Sequence, residues 1–212
     1  MSRRVVFSLL LVAVGIGLLF IWLRFNRATD YANFPPRAGT AWVAFGDSLT
    51  AGYGVEPGQD YPSVLGRRLG VTIENHGSAG DTSQDGLNRV AEIVRLNPRV
   101  VLLCLGGNDG LRQMSARQMF ANLGAIIDRL HQTGAFVVLI GIRSASLFDK
   151  NETGFKKLAK EKHLLYVPNI LQGLLTDPHL MSDSIHPNEQ GYEAIANRLE
   201  KVLRPLLPRL LP

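Results

Sequence analysis

The alternation of short apolar runs with longer amphipathic stretches constrains the fold of this chain most strongly. The predicted strands are Ala41–Phe45, Val71–Glu74, Val100–Leu105, Phe136–Ile140 and Leu164–Val167. The predicted helices, in which apolar residues recur every three or four positions, are Tyr61–Leu69, Ser83–Leu96, Ala116–Gln132, Glu152–Lys162 and Asn188–Leu203. Strands that alternate with helices of this length predict an α/β domain, in which helices cover both faces of a parallel sheet.

An uninterrupted apolar segment precedes this domain. No charge occurs from Val5 to Leu23, and a helix of this length, at about 1.5 Å per residue, just crosses a hydrocarbon core of about 30 Å. No small-residue cleavage site follows, as it usually does in a removed signal peptide. We therefore expect residues 1–27 to be an uncleaved membrane anchor, with a removed signal as the alternative. Residues 28–39, which include Pro35 and Pro36, are expected to be a linker, and residues 40–212 the main domain.

The charge of the chain does not indicate a nucleic-acid partner. The formal net charge is +5, and much of it falls on arginines outside the main domain: Arg3, Arg4, Arg24, Arg27 and Arg37. No run of Lys and Arg is long enough to suggest a nucleic-acid patch. We therefore interpret the charge as flanking a membrane segment. The single cysteine, Cys104, lies in an apolar run and is expected to be a small buried residue.

The first predicted strand leads directly into Gly46-Asp47-Ser48. Ligands of open α/β sheets bind beyond the carboxyl ends of the strands, so Ser48 is a candidate nucleophile. It then needs a base, an orienting acid and oxyanion donors. The segment is not the Gly-x-Ser-x-Gly elbow, because residue 50 is Thr. Taken alone, it is also typical of a serine that caps a helix.

Three later segments supply candidates for those roles. Gly80 follows the second strand among small residues, where a backbone N–H can point into a cleft. Asn108 follows the third strand and carries a neutral amide donor. Asp183 and His186 are three residues apart, so the carboxylate can reach and orient the imidazole. His76 is a weaker candidate for the base. Each segment is also compatible with an ordinary turn or helix cap.

Together and in this order, the four segments resemble the sequence blocks of the SGNH (GDSL) hydrolase family. Gly46-Asp47-Ser48-Leu49 is similar to the first block, Gly80 to the second, Gly107-Asn108-Asp109 to the third and Asp183-x-x-His186 to the last. The resemblance covers most of the chain from about residue 41 to residue 203. The stretches around Gly80 and Asn108 look most like the bacterial thioesterase-I/arylesterase (lysophospholipase) branch.

This resemblance implies a fold and a set of site residues. The fold would be the flavodoxin-like three-layer sandwich with a central parallel five-stranded sheet. The one N-terminal transmembrane helix expected before it lies outside the resemblance. Ser48 would be the nucleophile, His186 the base and Asp183 its orienting acid. The oxyanion hole would consist of the backbone N–H groups of Ser48 and Gly80 and the side chain of Asn108. No metal and no organic cofactor are implied.

We therefore expect a serine esterase that hydrolyses carboxylic esters or thioesters through an acyl-enzyme. Acyl esters or lysophospholipids are the expected substrates, and the segment Gly141–Phe148 is expected to border the acyl pocket. The alternatives are a carbohydrate O-acetylesterase acting on cell-wall sugars and, less favoured, a non-catalytic module that binds a sugar or a flavin phosphate. The other expected partner is a lipid bilayer, with the domain tethered outside the cytoplasm, in the periplasm. If the N-terminal segment is cleaved, the domain would be secreted.

Overall fold

The computed structural model describes residues 30–143 and 151–212, which are organised around a five-stranded sheet. The strands are β1 (Ala41–Gly46), β2 (Ile73–Gly77), β3 (Pro98–Cys104), β4 (Phe136–Ile140) and β5 (Leu165–Val167). All neighbouring strands are parallel, and their order in the sheet is β2-β1-β3-β4-β5. The order therefore reverses between β1 and β3, at the type of switch point where doubly wound sheets bind ligands.

Helices connect the strands along the described chain. They are α1 (Ser48–Ala51), α2 (Tyr61–Leu69), α3 (Ser83–Arg95), α4 (Gly107–Leu111), α5 (Ala116–Gln132), α6 (Asn151–Glu161), α7 (Glu189–Leu203) and α8 (Leu207–Leu210). Two short 3-10 turns cover Pro178–Leu180 and Arg204–Leu206. The predicted helices of more than two turns all form. The short helices α1 and α4 were not predicted, since one turn of helix has too few residues to show a period.

The hydrophobic core consists of two layers, one on each face of the sheet. Alternate residues of β1, β3 and β4 face opposite sides: Ala44 and Leu102 belong to the cluster that packs on α2 and α7. Phe45 and Leu103 belong to the cluster that packs on α3, α5 and α6. Apart from Arg99 near the start of β3, these strands are apolar because both faces are covered. The predicted α/β fold with a central parallel five-stranded sheet is confirmed.

The edge strand β2 differs from its prediction. It was expected at Val71–Glu74 and forms at Ile73–Gly77. An edge strand is paired on one side only, and the side chains of Glu74 and Asn75 are exposed, so β2 has no continuous apolar run for the pattern to detect. Val71 instead donates its N–H to the carbonyl oxygen of Gly66 at 3.0 Å and so closes the end of α2.

Residues from the predicted linker pack on the domain. The rings of Tyr31 and Phe34 lie 6.0 Å and 5.3 Å from the ring of Phe136, the first residue of β4. The amide of Asn33 donates to the carbonyl oxygens of His131, in the last turn of α5, and of Ala135, just before β4, each at 3.0 Å. The compact unit of the domain accordingly spans Tyr31–Pro212 and begins before Thr40, where its start was expected.

The C-terminal tail packs at the same end of the sheet. Leu210 is fully buried in the core. Arg99 of β3 donates to the carbonyl oxygens of Leu210 at 2.6 Å and Leu211 at 2.7 Å. The guanidinium of Arg209 lies 4.3 Å from the centre of the Phe34 ring. The tail and the residues around Phe34 therefore close the amino-terminal edge of the sheet.

None of the helices formed by residues 30–143 and 151–212 combines the length and the apolar character that a membrane crossing requires. The predicted transmembrane helix, Val5–Leu23, lies outside the described residues. The anchor at residues 1–27 therefore stays a prediction.

Candidate active site

Ser48 lies at the carboxyl edge of the sheet, directly after the central strand β1. Asp47 links the strand to α1: its N–H donates to the carbonyl oxygen of Cys104 at 3.3 Å. Its carboxylate accepts the N–H of Leu49 at 3.1 Å and so caps α1. Ser48 is the first residue of α1. The nucleophile candidate thus lies where β1 ends between β2 and β3, at the switch point of the sheet.

Asp47 is an unusual acid for this position. Only 2% of the residue is exposed, and burial raises the pKa of its carboxyl to about 7. The negative charges of Asp81 and Asp109 act in the same direction, while hydrogen bonds from backbone N–H groups oppose the increase. Asp47 caps the turn that carries Ser48, and near neutral pH its carboxyl is only partly ionised.

The structure brings Ser48, His186 and Asp183 into one row of hydrogen bonds. The hydroxyl oxygen Oγ of Ser48 lies 3.0 Å from Nε2 of His186. On the other side of the ring, Nδ1 of His186 lies 2.7 Å from Oδ2 of Asp183. This arrangement allows a histidine to take the serine proton through Nε2 while the carboxylate holds the other ring nitrogen protonated.

Asp183 is fixed by bonds to both of its oxygens. Its second oxygen, Oδ1, accepts the backbone N–H groups of Ile185 at 2.8 Å and His186 at 2.7 Å. The hydrogen bond from the His186 side chain is the main cause that lowers the pKa of Asp183 to about 2, and the two backbone bonds add to it. The carboxylate is therefore ionised at neutral pH and complements a positive charge on the imidazole.

The loop that carries this pair is held by the chain around it. The backbone N–H and the hydroxyl of Ser182 both donate to the carbonyl oxygen of His186, at 2.9 Å and 3.1 Å. Asn188 caps α7 by accepting the N–H of Gly191 at 3.1 Å. The ring of Tyr53 lies 4.4 Å from the imidazole of His186, centre to centre. His186 is consequently held from both sides, by its own loop and by the chain that follows α1.

Gly80 and Asn108, the two predicted oxyanion donors besides Ser48, belong to adjoining loops. Gly80 is the third residue of a turn in which the Asp81 N–H donates to the Ser78 carbonyl oxygen at 3.2 Å. Its φ of 87° is in the left-handed region that this turn position requires and that favours glycine. The amide of Asn108, in α4, donates to the carbonyl oxygen of Asp81 at 2.9 Å. The Asn108 amide is therefore oriented by the loop that contains Gly80.

A buried polar cluster joins the helices that follow these two loops. Asp109 of α4 accepts the backbone N–H of Ser83 at 2.8 Å and the Ser83 hydroxyl at 2.5 Å. The Ser83 hydroxyl also accepts the amide of Asn122 from α5 at 3.1 Å. All three residues are buried. Because each polar group has a partner, the cluster can stabilise the relative position of α3 and α4 without an unsatisfied charge.

The other candidates from the sequence lie apart from this row. His76 is on the edge strand β2, where its Nε2 is 3.6 Å from the carboxylate of Glu74. The expected border of the acyl pocket, Gly141–Phe148, is described only as far as Arg143, and its remainder lies outside the described residues. Within the described ranges, no group of three or more His, Cys, Asp or Glu side chains is arranged to hold a metal ion.

Sequence reasoning missed three side chains that contact the candidate site. Tyr53 packs on His186, Arg112 donates to the carbonyl oxygen of Gly80 at 2.9 Å, and Arg89 binds the ends of β1 and β2. The two arginines bond to backbone carbonyl groups from distant parts of the chain. Such acceptors are present at every residue, so no spacing or motif indicates which one an arginine will bind.

Known proteins resemble this chain in sequence and in structure. Residues 44–194 match the model of the GDSL-like Lipase/Acylhydrolase family. The chain is 33% identical over 184 residues to thioesterase 1/protease 1/lysophospholipase L1 of Escherichia coli K12, covering 82% of this chain and 88% of that protein. It is 31% identical over 172 residues to an arylesterase of Vibrio mimicus, covering 76% and 86%. A crystal structure of TesA matches with a TM-score of 0.74 at 28% identity, over 79% of this chain and 99% of that one.

The parallel sheet carries at its carboxyl edge a serine hydrogen-bonded to a histidine, which is hydrogen-bonded in turn to an aspartate; together with the family match, this defines the protein as a serine ester hydrolase. More specifically, the chain belongs to the GDSL-like Lipase/Acylhydrolase family. Its relatives include a thioesterase and an arylesterase, so the predicted family and the predicted class of enzyme, a carboxylic ester hydrolase, are confirmed.

Proposed function

We propose that Ser48 is the nucleophile of this hydrolase, with His186 as its base and Asp183 as the acid that orients His186. The observation that carries the proposal is the row of two hydrogen bonds, at 3.0 Å and 2.7 Å. As Oγ of Ser48 attacks the ester carbonyl, Nε2 of His186 takes its proton and then transfers it to the departing alcohol or thiol. A water molecule, deprotonated by the same nitrogen, releases the acid from the acyl-enzyme.

The oxyanion of each tetrahedral intermediate would be bound by the backbone N–H groups of Ser48 and Gly80 and by the side chain of Asn108. The left-handed turn at Gly80 supports this assignment. So does the bond from the Asn108 amide to Asp81, because the amide carries two hydrogens and this bond uses one of them. Loss of one such donor typically costs about 3 kcal/mol in the activation barrier.

The proposed substrates are acyl esters or lysophospholipids with an apolar acyl group. The described residues include five large apolar side chains that are exposed, and four of them, Tyr53, Leu111, Met114 and Ile185, belong to segments at the catalytic edge. Tyr53 packs on His186, Ile185 precedes it, and Leu111 and Met114 follow Asn108 in the chain. Exposed apolar groups beside a hydrolytic site favour contact with an acyl chain, and one relative carries the name lysophospholipase.

A series of p-nitrophenyl esters from acetate to laurate tests this substrate class. Burial of one methylene group is worth about 0.8 kcal/mol, so kcat/KM should increase with chain length, by as much as about fourfold per methylene. Leu111→Ser combined with Met114→Ser should reduce the gain for long chains and leave acetate unchanged. Leu211→Ser, at an exposed apolar residue of the tail, is the matched control. Hydrolysis of acetate alone would contradict the proposal and favour an O-acetylesterase acting on sugars.

We also propose that residues 1–27 tether the domain to a membrane, with the domain in the periplasm. The uninterrupted apolar segment from Val5 to Leu23 supports this. Fractionation of cells that produce the full chain tests it, because a tethered enzyme sediments with membranes and is released by detergent but not by high salt. Recovery of activity in the soluble fraction would favour cleavage and secretion instead.

A further inference from the structure

One arginine of α3, Arg89, binds three separate elements at the catalytic edge of the sheet. Its Nε donates to the carboxylate of Asp81 at 2.6 Å. Its Nη1 donates to the carbonyl oxygen of His76 in β2 at 3.1 Å, and its Nη2 to that of Gly46 in β1 at 2.9 Å. The guanidinium carbon also lies 4.5 Å from the centre of the Phe45 ring.

We propose that Arg89 is a positioning residue for ester hydrolysis, whose guanidinium fixes the turn that carries Ser48 relative to the loop that carries Gly80. This inference rests on the proposed function, because that function assigns the backbone N–H groups of Ser48 and Gly80 to one oxyanion hole. Arg89 acts through the backbone and not through contact with the substrate.

The acceptors of Arg89 adjoin the proposed oxyanion donors. Gly46 lies two residues before Ser48, and Asp81 follows Gly80 directly. The carbonyl oxygen of Asp81 accepts the amide of Asn108 at 2.9 Å. A shift at Arg89 would therefore displace all three donors relative to one another. A displacement of about 1 Å in a catalytic group costs on the order of 100-fold in rate.

Only arginine can make this set of bonds. Its guanidinium is planar and presents N–H donors in fixed directions from three nitrogens, whereas the ammonium of lysine is a single centre on a flexible chain. The three acceptors of Arg89 belong to β1, β2 and the loop before α3. Lysine at this position would keep the positive charge beside Asp81 but would not hold both carbonyl groups at once. Arg89→Lys therefore tests the positioning of the oxyanion donors without removing the positive charge beside Asp81.

The test measures Arg89→Lys and Arg89→Met for Tm, KM, kcat and the second-order rate constant of labelling by a fluorophosphonate. We expect Arg89→Lys to fold and to keep KM within about twofold. Its kcat and its labelling rate should fall together, on the order of 10- to 100-fold, because phosphonylation uses the same oxyanion donors as ester hydrolysis. Arg95→Lys is the matched control, since Arg95 is an exposed arginine of the same helix, and it should leave all four quantities unchanged.

Asp81→Asn provides a second comparison that does not alter Arg89. It removes the ion pair at 2.6 Å but keeps the shape of the side chain, so we expect a smaller loss of kcat than in Arg89→Lys. The double variant should lose less than the product of the two single losses, because both substitutions disturb the same contact. If Arg89→Met does not fold, Arg89→Lys and Asp81→Asn decide the question alone.

Three steady-state results for Arg89→Lys would overturn the inference. The first is a kcat of Arg89→Lys within twofold of the wild type. The second is a decrease in kcat that is fully explained by a smaller fraction of folded protein. The third is a higher KM at unchanged kcat. A folded wild-type protein that is not labelled and hydrolyses no ester would overturn the proposed function and this inference with it. Equal labelling of the wild type and Arg89→Lys would overturn the inference alone.

Discussion

The hydrogen bonds of Asp183 determine how His186 meets Ser48. One carboxylate oxygen is bound to the imidazole, and the other is bound to two backbone N–H groups of the same short loop. The loop thus orients its own histidine. Because the pKa of Asp183 is lowered to about 2, mainly by the bond to His186, this carboxylate stabilises the folded loop above pH 4. That contribution is lost as the pH falls from about 4 towards 2.

The contribution of Asp47 to stability has the opposite dependence on pH. Its pKa is about 3.8 in the unfolded chain and about 7 in the folded protein because it is buried. The folded state therefore binds more protons between pH 4 and pH 7, and its stability decreases as the pH rises through this range. The destabilisation caused by the buried negative charge of Asp47 is fully present above pH 7 and absent below about pH 4.

Asp47→Asn should therefore stabilise the protein in a pH-dependent way. Asparagine keeps the oxygen that caps α1 but carries no charge. The free energy of unfolding should exceed that of the wild type at pH 8 by up to about 4 kcal/mol, which corresponds to the raised pKa. The difference should shrink towards zero at pH 4. Urea denaturation of both proteins at pH 8, 6 and 4 measures it. A difference that is independent of pH would contradict the prediction.

At the scale of elements, close packing of α1 on the strand ends determines where Ser48 lies. Gly77, the last residue of β2, contacts α1 so closely that a Cβ atom there would lie 2.1 Å from the backbone nitrogen of Ala51 and 2.6 Å from its Cα. Backbone atoms do not yield as a flexible side chain does. The turn that carries Ser48 can therefore lie where it does only because residue 77 has no side chain.

Gly77→Ala should displace α1. We expect a loss of about 1–3 kcal/mol in the free energy of unfolding, together with a fall in kcat, because α1 begins with Ser48. Gly124→Ala is the matched control: this glycine lies in α5, where a Cβ would make ordinary contacts of 3.8 Å and 3.9 Å. The control should be neutral or slightly stabilising. Equal effects of the two substitutions in denaturation and kinetic assays would refute this account of the packing.

The burial of the strands and the spacing of the site residues explain which parts of the structure the sequence could predict. Strands β1, β3 and β4 are buried on both faces, so their apolar runs indicate both their positions and the parallel sheet. The edge strand β2 is exposed at Glu74 and Asn75 and was displaced in the prediction. In the site, Asp183 and His186 are near neighbours, so their spacing alone suggests their bond. Ser48 and His186 are 138 residues apart, and their pairing was predicted only through the resemblance to a family.

Arg89 shows why the remainder of the site could not be predicted. Asp85 precedes it by one helical turn, a spacing typical of a surface ion pair. In the structure Asp85 instead accepts the N–H and the hydroxyl of Thr82 in a capping box. Arg89 is then directed to Asp81 and to the ends of two strands. Only the folded arrangement of the strands specifies these partners.

At the scale of the whole molecule, the two ends of the compact unit and the candidate site lie at opposite edges of the sheet. Phe34 and the tail residue Leu210 pack near the amino ends of β4 and β3, whereas Ser48 follows the carboxyl end of β1. Tyr31, the first residue of this unit, therefore lies at the end of the sheet opposite to Ser48. Deletion of residues 1–27 should leave the hydrogen bonds of Ser48 and His186 intact.

Deletion of residues 1–27 should yield a soluble domain with the kcat of the detergent-solubilised full chain. Deletion of residues 1–36 also removes Tyr31 and Phe34, whose rings pack on Phe136. This longer deletion should lower the free energy of unfolding by roughly 3–5 kcal/mol, as does the loss of a large aromatic side chain from a core. Urea denaturation of the two truncated proteins and their kcat values measure both effects. Failure of the first truncation to fold would place the N-terminal segment within the domain core.

The central claim is that Ser48 attacks the substrate with the help of His186 and Asp183. Labelling of the folded protein by a fluorophosphonate, with mass spectrometry of the labelled peptide, tests it most directly. We expect one label per chain, located on Ser48, with loss of esterase activity in proportion to labelling. Ser48→Ala should be neither labelled nor active, although it folds. A folded wild-type protein that stays unlabelled and hydrolyses no ester, or one that is labelled at another residue, would contradict the claim.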